Sequence, residues 1–205
     1  MGWPSSRLIV IDGLDASGKS TQADLLSRFL SSEGRTVCVR SHPSDDNLFG
    51  IEARRFLNSR GRGAHFASAL FFMLDAIRSV LDFSWREYDY IIFVRYLIGA
   101  AYLPSPMYKF AYRFFALLVP KSDAMFFLDT TPQVASRRIR EGRKTREMFE
   151  GIDSLKDVRA KGLSLASIGG WTIINADRTP PEVELEIRKH LRLGQGTAVL
   201  SPIHR

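Results

Sequence analysis

Short apolar runs alternate with longer amphipathic segments along most of the chain, and that alternation sets the expected architecture. Five runs read as strands: Leu8–Ile11, Val37–Arg40, Tyr90–Val94, Ala124–Leu128 and Trp171–Ile174. They are too short for helices and rich in Val, Ile and aromatic residues. Between them, apolar residues recur at helical spacing. The segment from Lys19 to Ser31 carries Leu25, Leu26, Phe29 and Leu30 as one stripe, and Gly34 ends it. Further helices are expected around Ile51–Leu57, over Ala64–Phe83, over Met107–Leu118, from Pro132, from about Phe149 and over Pro181–Leu193. The Ala64–Phe83 segment is apolar on most sides and is expected to pack deep against a sheet.

Strands alternating with helices predict an α/β fold, a three-layer doubly wound parallel five-stranded sheet. In such sheets ligands bind beyond the carboxyl ends of the strands. No internal repeat, low-complexity stretch or Pro/Gly/Ser-rich linker divides the chain, so residues 1–205 are expected to form a single domain with a loose tail from about 194.

Composition narrows the setting. With 45% apolar and 25% charged residues the chain matches ordinary globular proteins. No uncharged run approaches the ~18 residues of a membrane span, and the most apolar stretch, Phe66–Phe83, is broken by Asp75 and Arg78. No signal peptide is read before Arg7–Ile11, and no membrane partner is expected. Cys38 is the single cysteine, so no disulfide framework exists and a reducing, cytoplasmic location is expected. A net charge of +7 favours anionic partners. Its basic residues concentrate near residues 137–146 and no nucleic-acid module is legible, so phosphorylated small molecules are the expected partners rather than nucleic acid. His42, His65, His190 and His204 show no metal-ligand spacing, and His42 reads as a loop residue.

The chemistry sits directly after the first strand. Gly13-Leu14-Asp15-Ala16-Ser17-Gly18-Lys19-Ser20-Thr21 is a full G-x-x-x-x-G-K-[ST] match between a strand and a helix. A loop of this kind wraps a polyphosphate with inward-pointing backbone N–H groups, and the following helix adds the positive end of its dipole. Gly13, Asp15, Ala16, Ser17, Gly18, Lys19, Ser20 and Thr21 are the expected ATP-binding residues. Lys19 is expected to reach the β- and γ-phosphates and the Ser20 hydroxyl to ligate Mg²⁺.

With this loop the chain resembles the thymidylate kinases, P-loop enzymes of the nucleoside monophosphate kinase type. Leu70-Phe71 followed by Asp75 is similar to that family's acceptor-site helix, and Val94-Arg95-Tyr96 with Ala101-Tyr102 to its segment after strand three. Phe127-Leu128-Asp129 with Pro132, Arg138 and Ile139 resembles strand four and the start of the lid, and Asn175-Ala176-Asp177 the adenine-side turn. The resemblance implies an ATP-dependent kinase, dTMP as the first acceptor to consider, and a homodimer to which Ala64–Phe83 contributes. It also implies that Asp15 meets the acceptor sugar, that Arg95 holds the acceptor phosphate, and that Tyr96 and Tyr102 line the acceptor site. The alternative for Arg95 is an ion pair with a carboxylate at the sheet edge.

Arg137, Arg140, Arg143 and Arg146 recur every third residue within a lid of about 137–150. Mobile guanidinium groups can neutralise charge on a transferring phosphoryl. Ala16 stands where some relatives carry a loop arginine, so the lid is expected to supply the cation, with Arg143 and Arg146 as the candidates.

Three positions depart from the family pattern. Val94 replaces the acid before Arg95, with Asp129 or Asp15 as substitutes. Asp45 stands where an arginine often holds the acceptor phosphate, and Ala76 where an arginine reads the base. These departures keep two alternatives open: a P-loop kinase of a different small acceptor, or a nucleotide-binding protein with weak catalysis.

Overall fold

A computed structural model describes residues 8–57, 62–84, 86–142 and 151–193. The tail from 194 and most of the expected lid, including Arg143 and Arg146, lie outside the described residues. Five strands form one parallel sheet: β1 (Leu8–Gly13), β2 (Val37–Ser41), β3 (Tyr90–Val94), β4 (Ala124–Asp129) and β5 (Thr172–Asn175), in the order β2-β3-β1-β4-β5. Seven helices complete the described fold: α1 (Lys19–Ser32), α2 (Leu48–Leu57), α3 (Arg62–Ser84), α4 (Met107–Leu118), α5 (Pro132–Gly142), α6 (Ile152–Gly169) and α7 (Pro180–His190). A 3₁₀ turn at Ile98–Tyr102, too short to leave a periodic signal, lies between β3 and α4.

The central strand shows why the sheet has helices on both sides. Leu8 and Val10 face a core built with α3, α4, α5 and α6, whereas Ile9 and Ile11 face one built with α1 and α7. A strand apolar at every position can be buried only between two helical layers. Register is fixed by these contacts, with Leu8 opposite Ile91, Ile11 opposite Val94 and Gly13 opposite Leu128. Because β1 pairs with β3 on one side and β4 on the other, chain connections diverge at its carboxyl end and open a crevice there.

Helix α3 differs from the sequence expectation. Ala76 and Phe83 face the sheet-side core, but Phe66, Leu70 and Leu81 are exposed. Its apolar residues therefore serve two faces, only one of them turned to the core. The last helix begins one residue earlier than expected, at Pro180, and ends at His190. It starts with a capping box in which the Thr179 N–H donates to the Glu182 carboxylate at 2.9 Å.

Candidate active site

The phosphate loop joins β1 to α1 and is shaped by backbone conformations that its small residues tolerate. Gly18 takes a φ of 91° and caps α1, and Ala16 is also left-handed at 57°. Gly13 lies so close to β4 that an added Cβ would stand 2.5 Å from the Leu128 carbonyl oxygen. Lys19 is buried, and its ammonium donates to the carbonyls of Gly13, at 3.0 Å, and Leu14. Ser20 and Thr21 are exposed at the start of α1. The Ser17 hydroxyl is buried without a partner. A hydroxyl left so, inside a loop of backbone N–H groups, suits a ligand oxygen.

Next to this loop a second cluster forms from four segments. Arg95 follows β3 with a left-handed backbone, φ 61°, and its guanidinium pairs with Asp15 at 2.9 Å. The Tyr102 hydroxyl donates to the other Asp15 oxygen at 2.9 Å. Burial alone would raise the Asp15 carboxyl, but the Lys19 and Arg95 cations beside it hold it below its usual range. Burial and the adjacent Asp15 push the Tyr102 phenol well above its ordinary value. The ion-pair alternative for Arg95 is thus present, with Asp15, just beyond the carboxyl end of β1, as the carboxylate.

Asp12, at the end of β1, was not singled out in the sequence. Its carboxylate accepts from the backbone N–H groups of Gly13 (2.9 Å), Tyr96 (2.8 Å) and Ile98 (3.0 Å), tying β1 to the turn after β3. Burial raises its pKa against those bonds and the nearby Lys19. His42 lies in the loop that follows β2, and it is fully buried there. Its Nδ1 donates to the Arg95 carbonyl at 2.9 Å, its own N–H donates to the Val94 carbonyl, and its Nε2 has no partner. Burial lowers its pKa to about 4, so the ring is neutral at pH 7.

The three departures have clear settings. Val94 is fully buried in the core shared with α1 and α7, where a carboxylate would be unsolvated. Neither suggested substitute is unengaged: Asp129 is held by Arg159 through bonds of 2.7 and 2.8 Å, and Asp15 by Arg95 and Tyr102. Asp45 is exposed. Asp75 is fully buried and accepts from the Ser44 N–H (2.7 Å), the Ser44 hydroxyl (2.6 Å) and Asn47 (2.8 Å), fastening the segment after β2. Ala76 sits in the core.

Two cavities meet at Arg95. One, about 380 Å³, is lined by Asp12, Asp15, His42, Arg54, Phe72 and Tyr102 among others, including Tyr96. The Tyr96 hydroxyl is itself engaged with the Pro120 carbonyl at 3.0 Å. The other, about 420 Å³, runs along Ala16–Gln22 to Arg138, Arg178 and Val183. Arg138 bridges the Ala16 and Ala176 carbonyls at 3.3 and 3.0 Å, closing the loop against the turn after β5. Arg54, Arg178 and Phe56 are lining residues that the sequence reading missed, because they come from helices and turns with no motif of their own.

A phosphate loop at the switch point of a doubly wound parallel sheet, with a second cavity beside it, defines a P-loop phosphotransferase of the nucleoside monophosphate kinase type. The family model for thymidylate kinase matches residues 11–187. A probable thymidylate kinase of Pyrobaculum aerophilum is 30% identical over 193 residues, covering 90% of this chain and 95% of that protein. The thymidylate kinase of Arabidopsis thaliana is 28% identical, covering 91% and 71%. Among solved structures, thymidylate kinase from Candida albicans superposes with a TM-score of 0.72 at 20% identity, covering 91% of each chain. The chain belongs to the thymidylate kinase family and is an ATP-dependent kinase.

Proposed function

We propose that the protein transfers the γ-phosphoryl group of MgATP to dTMP, giving ADP and dTDP. The observation that carries this reading is the meeting of the phosphate-loop cavity and the second cavity at Arg95. Two nucleotides lying end to end across that junction would bring a γ-phosphate to an acceptor phosphate. Phosphoryl transfer needs little beyond alignment and charge neutralisation, and no covalent enzyme intermediate.

In this reading Gly13–Thr21 hold the triphosphate, Lys19 exchanges its loop carbonyls for phosphate oxygens, and Ser20 lends one oxygen to the nucleotide's Mg²⁺. No group of three or more His, Cys, Asp or Glu poised for a metal occurs among the described residues, which suits an ion carried mainly by phosphates and water. Arg95 takes the acceptor phosphate, Asp15 and Tyr102 its sugar side, and Phe72 the base. Arg54 adds a second cation to the acceptor cavity. Arg143 and Arg146 are the lid cations of the proposal. A cytoplasmic homodimer resting on the exposed α3 residues Phe66, Leu70 and Leu81 belongs to the same proposal, and sedimentation equilibrium checks it.

The decisive assay follows ADP release with MgATP and a panel of nucleoside monophosphates, alongside Lys19→Ala. Turnover with dTMP that falls at least a hundredfold in the variant is expected. Turnover only with a non-nucleotide acceptor would reassign the second cavity, whose lining is largely apolar. ATP binding with no acceptor turned over, and no effect of Lys19→Ala, would make the protein a nucleotide-binding regulator instead.

A further inference from the structure

Asp12 is the one charged residue of β1, and it ends a run of four buried apolar residues, Leu8 to Ile11. A carboxylate withdrawn from water in such a place is costly unless its oxygens are hydrogen-bonded. Both are, and to different parts of the site. One oxygen accepts from the Gly13 N–H at 2.9 Å, where the phosphate loop begins. The other accepts from Tyr96 at 2.8 Å and from Ile98 at 3.0 Å. Tyr96 directly follows Arg95, and Ile98 opens the 3₁₀ turn that ends in Tyr102. A single side chain therefore grips the phosphate loop with one oxygen and the acceptor-side turn with the other.

Other contacts between these two parts run through side chains that substrates would claim. Arg95 and Tyr102 both bind Asp15, and Lys19 binds the Gly13 and Leu14 carbonyls. If Arg95 and Lys19 turn to phosphate oxygens and Asp15 to a sugar, these contacts are exchanged during binding. The bonds of Asp12 go to backbone N–H groups and can persist throughout. Asp12 is also no stand-in for the acid missing at Val94. It lies on the β1 face of Leu8 and Val10 and lines the acceptor cavity, whereas Val94 belongs to the core on the other side of the sheet.

We propose that Asp12 is a positioning residue for phosphoryl transfer, which sets the spacing of Arg95 and Tyr102 from the phosphate loop and carries the occupancy of that loop to the acceptor side. The proposal rests on the reading that the two cavities hold donor and acceptor. Transfer depends on alignment, and a misplacement of about 1 Å can cost on the order of a hundredfold in rate. A triphosphate that orders the loop orders the Gly13 N–H, and through Asp12 it steadies the two N–H groups beyond Arg95.

The first test is hydrogen exchange in the wild-type protein. Mg²⁺ with a non-hydrolysable ATP analogue is expected to slow exchange of the Tyr96 and Ile98 amides by about threefold or more, although neither residue lines the phosphate-loop cavity. A tie that serves the fold alone would protect these amides equally with and without nucleotide. In Asp12→Asn an NH₂ group replaces one accepting oxygen, so one of the two grips is lost, and the effect of the nucleotide should disappear.

The second test is kinetic, with MgATP and dTMP. Asp12→Asn is expected to lower kcat by roughly thirtyfold or more while each KM stays within about threefold of wild type. Asp12→Glu keeps both oxygens as acceptors and should recover about tenfold of that loss. A merely structural residue would lower Tm without separating kcat from KM. A folded Asp12→Asn with wild-type kcat, or wild-type amides that ignore the nucleotide, overturns the proposal. If Asp12→Asn does not fold, the wild-type exchange result decides. Wild-type protein inert toward dTMP would instead remove the dTMP reading, and exchange at Tyr96 and Ile98, which needs no acceptor, would still decide the role of Asp12.

Discussion

Arg95 and His42 form a unit in which one side chain holds the other's backbone. Arg95 adopts a left-handed conformation that a residue with a Cβ resists, at a cost on the order of 1 kcal/mol. The His42 Nδ1–H bond to its carbonyl, and the Arg95 N–H bond to Ile11, fix that conformation. If Arg95 takes the acceptor phosphate, Arg95→Ala should lower kcat/KM for the acceptor by roughly a hundredfold, about 3 kcal/mol, with little change in KM for ATP. A purely structural ion pair would instead lower the melting temperature and leave the acceptor KM alone. His42 allows a pH test. Its folded pKa of about 4 lies below the ordinary 6.5, so between those values the unfolded chain holds a proton that the folded chain does not. Stability therefore rises with pH across that window, by up to about 3 kcal/mol, and is complete above it. Urea midpoints at pH 4.5 and 7 should differ strongly in wild type. In His42→Gln that difference should shrink, and an unchanged slope would refute the assignment.

At the scale of elements, the segment after β2 shows how the acceptor cavity is held in place. Asp75 of α3 binds Ser44 and Asn47, and the Asn47 side-chain oxygen accepts from the N–H groups of Phe49 and Gly50 at the start of α2. Helix α2 brings Arg54 and Phe56 to the cavity wall. It can sit so close only because residue 50 is glycine: an added Cβ would lie 2.7 Å from both the amide nitrogen and the hydroxyl of Ser44. Gly50→Ala should thus cost about 1–3 kcal/mol and raise KM for the acceptor more than KM for ATP. Equal effects on both substrates would show that α2 matters to the whole sheet rather than to one cavity.

The same element marks the limit of sequence reading. Strands and long helices were legible because their apolar periodicity is local, and β3 and α4 fall on the expected residues. The start of α2 was expected at Ile51 but lies at Leu48, since its Asn47 cap sits in a polar run without periodicity. The phosphate loop was legible because its residues are contiguous. The second cavity was legible only in part: Asp15, Arg95, Tyr96 and Tyr102, expected at the acceptor site, line it, whereas Asp12, Arg54 and Phe56 join them only through the sheet order and the Asp75 fastening. His42 illustrates the difficulty: the sequence places it in the loop after a short strand, beside Pro43, but its burial shows only once Phe72 and Phe93 are packed edge-on against it.

For the molecule as a whole, the arrangement of the two cavities makes a claim that neither makes alone. Both open at the carboxyl edge of the sheet, and Arg95 lines both. The phosphate-loop side is strongly cationic, with Lys19, Arg138 and Arg178 around it. The other side is mostly apolar, with Arg54 and Arg95 as its cations. A molecule with a purine nucleoside at one end, thymidine at the other and five phosphates between should therefore occupy both at once. A ligand present at a hundred times its Kd stabilises the folded state by about 2.7 kcal/mol. In a chain of this size that corresponds to a rise in Tm on the order of 5–10 °C. At equal concentration with Mg²⁺, the linked compound should exceed the shifts given by ATP and by dTMP, since the second nucleoside binds without a further loss of translational freedom. Arg95→Ala should remove most of that advantage, because it takes away the side chain that both cavities share. If the linked compound shifted Tm no further than ATP, the cavities would not be acting as one phosphotransfer site, and the acceptor would have to approach by another route.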